Sequence, residues 1–79
     1  MEGLLAYLAR ALVDDPEQVR VESFEEDDGT LVLELSVAEE DAGKVIGRGG
    51  RTVSALRTVV KAASVKQNRR VVVDVIDTD

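Results

Sequence analysis

Residues 44–52 read Lys-Val-Ile-Gly-Arg-Gly-Gly-Arg-Thr and join two segments of helical periodicity. On the N-terminal side, apolar residues recur at positions 38, 42, 45 and 46, after which glycine interrupts the pattern. On the C-terminal side, they recur at positions 53, 56, 59, 60 and 63. Both spacings place the apolar residues on one helical face. The sequence therefore predicts two amphipathic helices that meet at a short turn framed by Gly47 and Gly50.

Strand patterns lie on both sides of this helix pair. Residues 19–25 and 31–37 alternate in polarity around an Asp-Gly turn, which predicts a hairpin, and residues 71–76 are almost all β-branched. A helical stripe over residues 4–13 comes first and ends before Pro16. The predicted order is α-β-β-α-α-β, in one domain covering residues 1–79. We expect an α+β fold with a three-stranded mixed sheet, because hairpin strands are antiparallel and strands joined by a helical crossover are parallel. All helices should pack on one face of this sheet.

Composition excludes several classes of function. The 79 residues include no cysteine and no histidine, so thiol chemistry, disulfides and imidazole ligands are ruled out. We therefore predict no metal and no cofactor. We also predict no enzymatic activity, because the carboxylates cluster at a turn and at a helix start, where solvation or the helix dipole explains their presence. No apolar run is long enough to span a bilayer, and the first residues lack the basic region of a signal peptide, so we expect a cytoplasmic protein without a membrane partner.

Charge is distributed very unevenly along the chain. The net charge is −6, yet residues 42–70 contain no acidic residue and hold eight of the ten basic ones. Surface charges separated by more than about 8 Å are largely screened at physiological salt. A basic face can therefore operate on an acidic protein, although a solvated, dipolar surface would give the same pattern.

The glycine-rich joint has the chemistry of a phosphate-binding site. A helix N-terminus offers unpaired N–H groups and a partial positive charge, and glycine lets another backbone come close. Arg48 and Arg51 add guanidinium groups that can pair with phosphate. The spacing of the glycines fits neither a P-loop nor a dinucleotide-binding fingerprint. A DNA-binding helix-turn-helix stays open as an alternative, but it would leave the flanking strands unexplained. The other alternative is a plain capped turn, in which the glycines serve only the geometry of the turn.

Taken together, these residues resemble the KH family of RNA-binding domains. Residues 45–50 match the core V-I-G-x-x-G signature, and the element order matches the type II topology. Residues 12–16, 43–47, 50–52, 56–58 and 61–63 are also similar to the small stand-alone bacterial KH proteins of the KhpA type. The family usually has a polar or charged residue at position 49. Gly49 therefore leaves Arg48 as the charged residue of the loop tip.

The resemblance implies a site and a set of partners. In the family, the G-x-x-G loop holds the backbone of about four single-stranded nucleotides, with the bases in an apolar groove between helices and a strand. By resemblance, the RNA-binding residues would be Lys44, Ile46, Gly47, Arg48, Gly49, Gly50, Arg51, Arg57 and Lys61. Lys44 and Arg51 would contact phosphate, Ile46 would line the groove, and Arg57 and Lys61 would extend the basic track. A solvated helix face also explains the last two.

The implied role is that of an RNA chaperone or post-transcriptional regulator, with cell-shape and cell-envelope control as one setting. The resemblance further implies a homodimer and a larger KH-containing partner of the KhpB (Jag-like) type. Phe24, Val72 and Ile76 fall out of phase with the core and predict an apolar patch on the outer sheet face, which a dimer would cover. The competing hypothesis is a protein-interaction module with a KH fold and little RNA binding.

Overall fold

The computed structural model describes residues 1–76 and has the predicted element order. The elements are α1 (Glu2–Leu12), β1 (Arg20–Glu25), β2 (Leu31–Ser36), α2 (Ala42–Ile46), α3 (Arg51–Lys66) and β3 (Val71–Ile76). The predicted helix from residue 38 is shorter than expected, because residues 39–41 form a separate 3-10 turn before α2 begins. Another 3-10 turn follows α1 at Pro16–Gln18, where the proline ends helical hydrogen bonding.

The three strands form one mixed sheet in the order β1-β2-β3. β1 and β2 are antiparallel, with Val21 opposite Leu35, and β2 and β3 are parallel, with Leu33 beside Val73. The hairpin turn between β1 and β2 is closed by the N–H of Glu26, which donates to Thr30 O at 2.8 Å. Both predicted pairings are therefore confirmed.

The core lies between the helices and one face of the sheet. The helices contribute Leu5 and Ala9 from α1, Val45 from α2, and Leu56 and Val60 from α3; the strands contribute Leu33, Leu35, Val71 and Val73. Leu33, Leu35, Val45 and Val60 are fully buried. The strand residues are the odd-numbered ones, as the period of two requires. The predicted arrangement of helices on one sheet face is thus confirmed.

The connection between α3 and β3 is a well-defined turn. Asn68 adopts φ 55°, the left-handed conformation that usually follows a helix C-terminus. The N–H of Arg69 donates to Ser64 O at 3.1 Å, and the N–H of Asn68 donates to Val65 O at 3.0 Å. This pair of bonds is the Schellman motif. Leu31 N–H donates to Arg70 O at 2.9 Å, which ties the end of the connection to β2.

Candidate nucleic-acid interface

Residues 47–50, here called the glycine corner, reverse the chain between α2 and α3. Gly47, Gly49 and Gly50 have φ values of 76°, 64° and 78°. Residues with a Cβ rarely adopt such values, so the backbone path itself explains the glycines. Arg48 is the one corner residue outside this region, and its side chain is exposed.

The glycines of the corner differ in what surrounds them. A Cβ on Gly47 would clash with Thr52, because it would lie 2.7 Å from the Thr52 Cβ and 2.8 Å from the Thr52 backbone N. Cβ atoms on Gly49 and Gly50 would find nothing within 4 Å. Gly47 therefore allows α3 to begin close against the end of α2, whereas Gly49 and Gly50 leave open space on the outside. The surface open to an approaching backbone lies at residues 49 and 50 rather than at Gly47.

Two N–H groups of the corner, together with that of Arg51 just after it, are already in use. The N–H of Gly47 donates to Gly43 O at 2.8 Å. The N–H of Gly50 donates to Gly47 O at 3.2 Å, and the N–H of Arg51 donates to Arg48 O. No side chain caps the start of α3, because its N-cap residue is Gly50. The corner thus combines the positive end of a 16-residue helix with two exposed arginines. Within residues 1–76, neither Arg48 nor Arg51 forms an ion pair.

Lys44, predicted to contact phosphate, lies beside two carboxylates. Its ammonium group forms a hydrogen-bonded ion pair with Asp14 and lies 3.7 Å from an Asp41 oxygen. The hydrogen bond with Asp14 raises the pKa of Lys44, and the neighbouring negative charges add to this effect. Lys44 is therefore fully charged at neutral pH, but its charge is largely compensated within the protein. A phosphate would have to displace Asp14 to bind it.

Asp41 has a structural role that the sequence did not indicate. Its side chain is buried and accepts hydrogen bonds from the N–H groups of Asp14 at 3.2 Å and Asp15 at 3.0 Å. Burial is the largest influence on its pKa and raises it, but these two bonds and Lys44 outweigh burial and hold the pKa below its usual value. The acidic first turn was predicted only to complement the helix dipole. A contact between positions so far apart in the chain leaves no local pattern that would reveal it.

A shallow groove runs between α3 and the outer edge of β3. Arg57 Nε donates to Val73 O at 3.0 Å, and a cavity of about 180 Å³ is lined by Arg57, Lys61 and residues 71–73. The structure therefore brings Arg57 and Lys61 together beside a valine strand, as an RNA groove would require. Ile46 lies outside this cavity, at the end of α2, where it is 40% exposed. Val45, next to it, is a core residue.

The predicted apolar patch on the outer sheet face is present but divided. Phe24, Val32 and Val72 stand side by side across the three strands, and Phe24 and Val72 are exposed. The next row on this face consists of Glu22, Glu34 and Asp74, and it separates these three residues from Ile76. Three neighbouring carboxylates make this face a poor surface for burial.

A more continuous apolar surface lies between α1 and α3. A groove of about 280 Å³ is lined by Leu8, Ala11, Leu12, Thr52, Ala55, Leu56 and Val59. Leu12 and Val59 are 40% and 45% exposed. The helical stripes of the sequence include Leu12 and Val59, and their spacing alone does not distinguish these exposed residues from buried ones. The apolar face of each of these two helices is wider than the part of it that packs into the core.

Two general properties of the described residues complete the picture. None of the helices within residues 1–76 combines the length and the apolar character needed to cross a membrane. In the same residues, no three histidine, cysteine, aspartate or glutamate side chains are grouped to hold a metal ion.

Comparison with known proteins gives consistent matches over the whole fold. A family model described as KhpA/KhpB, KH domain matches residues 2–75. The chain is 56% identical to the RNA-binding protein KhpA of Halalkalibacterium halodurans, covering 98% of this chain and all of that one. It is 51% identical to the RNA-binding protein KhpA of Clostridium acetobutylicum, covering 96% of this chain and all of that one. The protein of the same name in Bacillus subtilis is 43% identical over 98% of this chain and 94% of its own.

A crystal structure of Era from Aquifex aeolicus shares the fold. The TM-score is 0.64 at 18% identity, over 96% of this chain and 29% of the Era chain. Relatives named as RNA-binding proteins with a KH domain constitute a non-enzymatic family, which confirms the expectation that this chain is not an enzyme. The match over residues 2–75 and the identities over nearly the full length show that the chain belongs to the KhpA/KhpB KH-domain family.

Proposed function

We propose that this protein is a non-catalytic module that binds single-stranded RNA and holds its backbone at the glycine corner. The observation that carries the proposal is the open space at Gly49 and Gly50, flanked by the exposed Arg48 and Arg51. A sugar-phosphate backbone can approach the main chain there and meet two guanidinium groups. The relatives named RNA-binding protein KhpA support the same assignment.

The groove beside the corner would receive the bases. Arg57 is fixed by its bond to Val73 O, and Lys61 lies one helical turn further along α3. Aromatic stacking cannot contribute there, because Tyr7 is on α1 and Phe24 on the outer face of the sheet. Without stacking, phosphate contacts supply most of the free energy of binding. A single copy of the domain therefore binds weakly and with little base preference.

A charge-reversal experiment tests the corner directly. In the double variant Arg48→Asp, Gly49→Asp, two carboxylates replace one guanidinium group at the loop tip. Aspartate tolerates the left-handed conformation of residue 49 better than most residues, so the fold should survive. We expect RNA affinity, measured by fluorescence anisotropy, to fall at least about tenfold, because each charged hydrogen bond contributes about 1.5–3 kcal/mol.

The matched control for this experiment is Arg48→Asn, Gly49→Asn. Asparagine has the same shape as aspartate and the same tolerance of positive φ, but it carries no charge. The control should retain clearly more affinity than the aspartate variant, and circular dichroism should show both to be folded. Normal RNA binding by the aspartate variant would disprove the role of the corner.

The cellular role follows from weak, non-selective binding. An RNA chaperone or post-transcriptional regulator needs to hold and release many RNAs, and we propose this role, in the cytoplasm, for the single KH domain of residues 1–79. Control of cell shape and the cell envelope is the proposed setting. Crosslinking and sequencing of bound RNA from cells would identify the targets. Recovery of no RNA would favour the second candidate function.

The second candidate is a protein-interaction module, and the groove between α1 and α3 favours it. A second copy of this chain, or a KhpB-type partner, would cover the exposed Leu12 and Val59. Pairing would also raise the avidity of a weak RNA site. Val59→Asp should abolish self-association in analytical ultracentrifugation. Val65→Asp, on another side of α3 and at a residue that is 72% exposed, is the matched control and should leave self-association unchanged.

A further inference from the structure

A second cationic cavity lies at the opposite end of α3 from the glycine corner. Its volume is about 350 Å³, with Ser64 and Val71 among its walls and Lys61, Asn68, Arg69 and Arg70 at its rim. Arg57 and Lys61 belong to the residues that the KH resemblance assigns to RNA binding, but residues 68–70 do not. The rise of α3 over 16 residues separates the two ends by about 22 Å.

This cavity continues the groove described above. Lys61 and Val71 line both cavities, so a strand that follows the groove past Arg57 arrives at Arg70. Within residues 1–76, Lys61 and Arg70 have no ion-pair partner within 4 Å. Their cationic groups are therefore available to a phosphate.

The backbone holds the rim in place before any ligand binds. The Schellman motif fixes Asn68 and Arg69 on the end of α3, and the bond from Leu31 N–H holds Arg70 against β2. Preorganised groups lose less conformational entropy on binding than groups on a mobile loop. The rim is thus a built surface rather than a chance collection of basic side chains.

An acidic residue of the hairpin partly occupies this surface. Glu25 Oε1 accepts a hydrogen bond from Arg69 at 2.5 Å, in a pair whose two side chains are both more than a third exposed. Asp28 and Arg70 line one further cavity. Hydrogen bonds with Thr30 are the main cause of the lowered pKa of Asp28, and Arg70 adds to the effect. Exposed ion pairs contribute little to stability, so a phosphate can displace Glu25 from Arg69 at small cost.

We infer that the rim formed by Lys61, Arg69 and Arg70 is a second phosphate-binding site, which extends the RNA path beyond the nucleotides held at the glycine corner. This inference rests on the proposed function. The site accepts the backbone of a single strand that leaves the groove, and Glu25 competes with that backbone for Arg69. A segment of about four nucleotides seated at the corner does not reach it.

The test compares short and longer RNA on single-charge variants. Arg70→Gln should lower the affinity for an oligouridine of about nine nucleotides roughly fivefold and leave the affinity for one of about four nucleotides within a factor of two. The slope of log affinity against log salt for the longer RNA should fall by about 0.7, one phosphate contact on a single strand. Lys66→Gln is the matched control. It removes the same charge nearby, but Lys66 does not line the cavity, and both lengths should bind as in the wild type.

A second variant should act in the opposite direction. Glu25→Gln frees Arg69 and should raise affinity for the longer RNA more than Glu22→Gln does, because Glu22 carries the same charge on the outer sheet face. Equal losses on both RNA lengths in Arg70→Gln, or identical effects of Arg70→Gln and Lys66→Gln, would overturn the second site while leaving the corner intact. If the variant Arg48→Asp, Gly49→Asp instead bound both RNA lengths as tightly as the wild type, the proposed function would be refuted.

Discussion

Replacing Gly47 by alanine should destabilise the domain far more than the same change at Gly49. The backbone at Gly47, with φ 76° and ψ 170°, lies in a region reserved almost entirely for glycine, and forcing another residue into it costs about 1–3 kcal/mol. The new methyl group would also lie 2.8 Å from the backbone N of Thr52, and overpacking of this kind costs about 1–3 kcal/mol more. The sum is about 2–6 kcal/mol. A domain of 79 residues has only roughly 4–12 kcal/mol in total.

Gly49→Ala is the matched control, because its φ is also positive but its Cβ would meet no atom within 4 Å. Only the left-handed conformation is penalised there, by about 1–2 kcal/mol. Urea denaturation would compare the free energies of unfolding of Gly47→Ala, of Gly49→Ala and of the double variant Gly47→Ala, Thr52→Ala. The double variant should recover part of the loss, since it removes Oγ1 but keeps the Cβ and N of Thr52. Equal stability of Gly47→Ala and Gly49→Ala would refute the reasoning.

Two further predictions concern the supports of the site. Asp41→Asn should weaken the attachment of residues 14 and 15 to α2 and lower stability at neutral pH, because the amide offers one acceptor oxygen where the carboxylate offers two. Because the pKa of Asp41 is lowered in the folded state, its carboxylate stabilises the fold above about pH 4, and this stabilisation is lost as the pH falls through the folded-state pKa. In urea titrations the variant should therefore lose less stability on acidification than the wild type. Asn68→Ala should cost about 1 kcal/mol and Asn68→Gly should be neutral or stabilising in thermal unfolding, because the left-handed turn after α3 suits glycine best; equal unfolding temperatures for the two would contradict the role of this turn.

Most of the fold could be predicted because its signals are local. The alternation of residues 31–37 and the helical spacing around the glycine corner set the elements, and their order then determines the parallel and antiparallel pairings. The corner itself was predicted for the same reason, since glycines at the end of one helix and the start of the next indicate a tight turn. The match to the KH signature added the functional expectation.

The features that could not be predicted depend on contacts that only the folded chain forms. The pairing of Lys44 with Asp14 changes a predicted phosphate contact into a partly neutralised one, and only the folded chain brings these residues together. The packing of Gly47 against Thr52 separates one glycine from the rest of the corner, and the spacing of the glycines does not show which of them meets a neighbouring side chain. The exposed groove at Val59 arises because α1 and α3 touch without closing over it. A single sequence carries no periodic signal for any of these.

The central claim is that an RNA backbone lies on the outside of the glycine corner. The most direct measurement is a titration of the 15N-labelled protein with a short oligouridine, followed by amide chemical shifts. We expect the largest changes at residues 48–52 and smaller ones at residues 71–73, which line the groove. Changes concentrated on β1 and the outer sheet face, with residues 48–52 unaffected, would contradict the account.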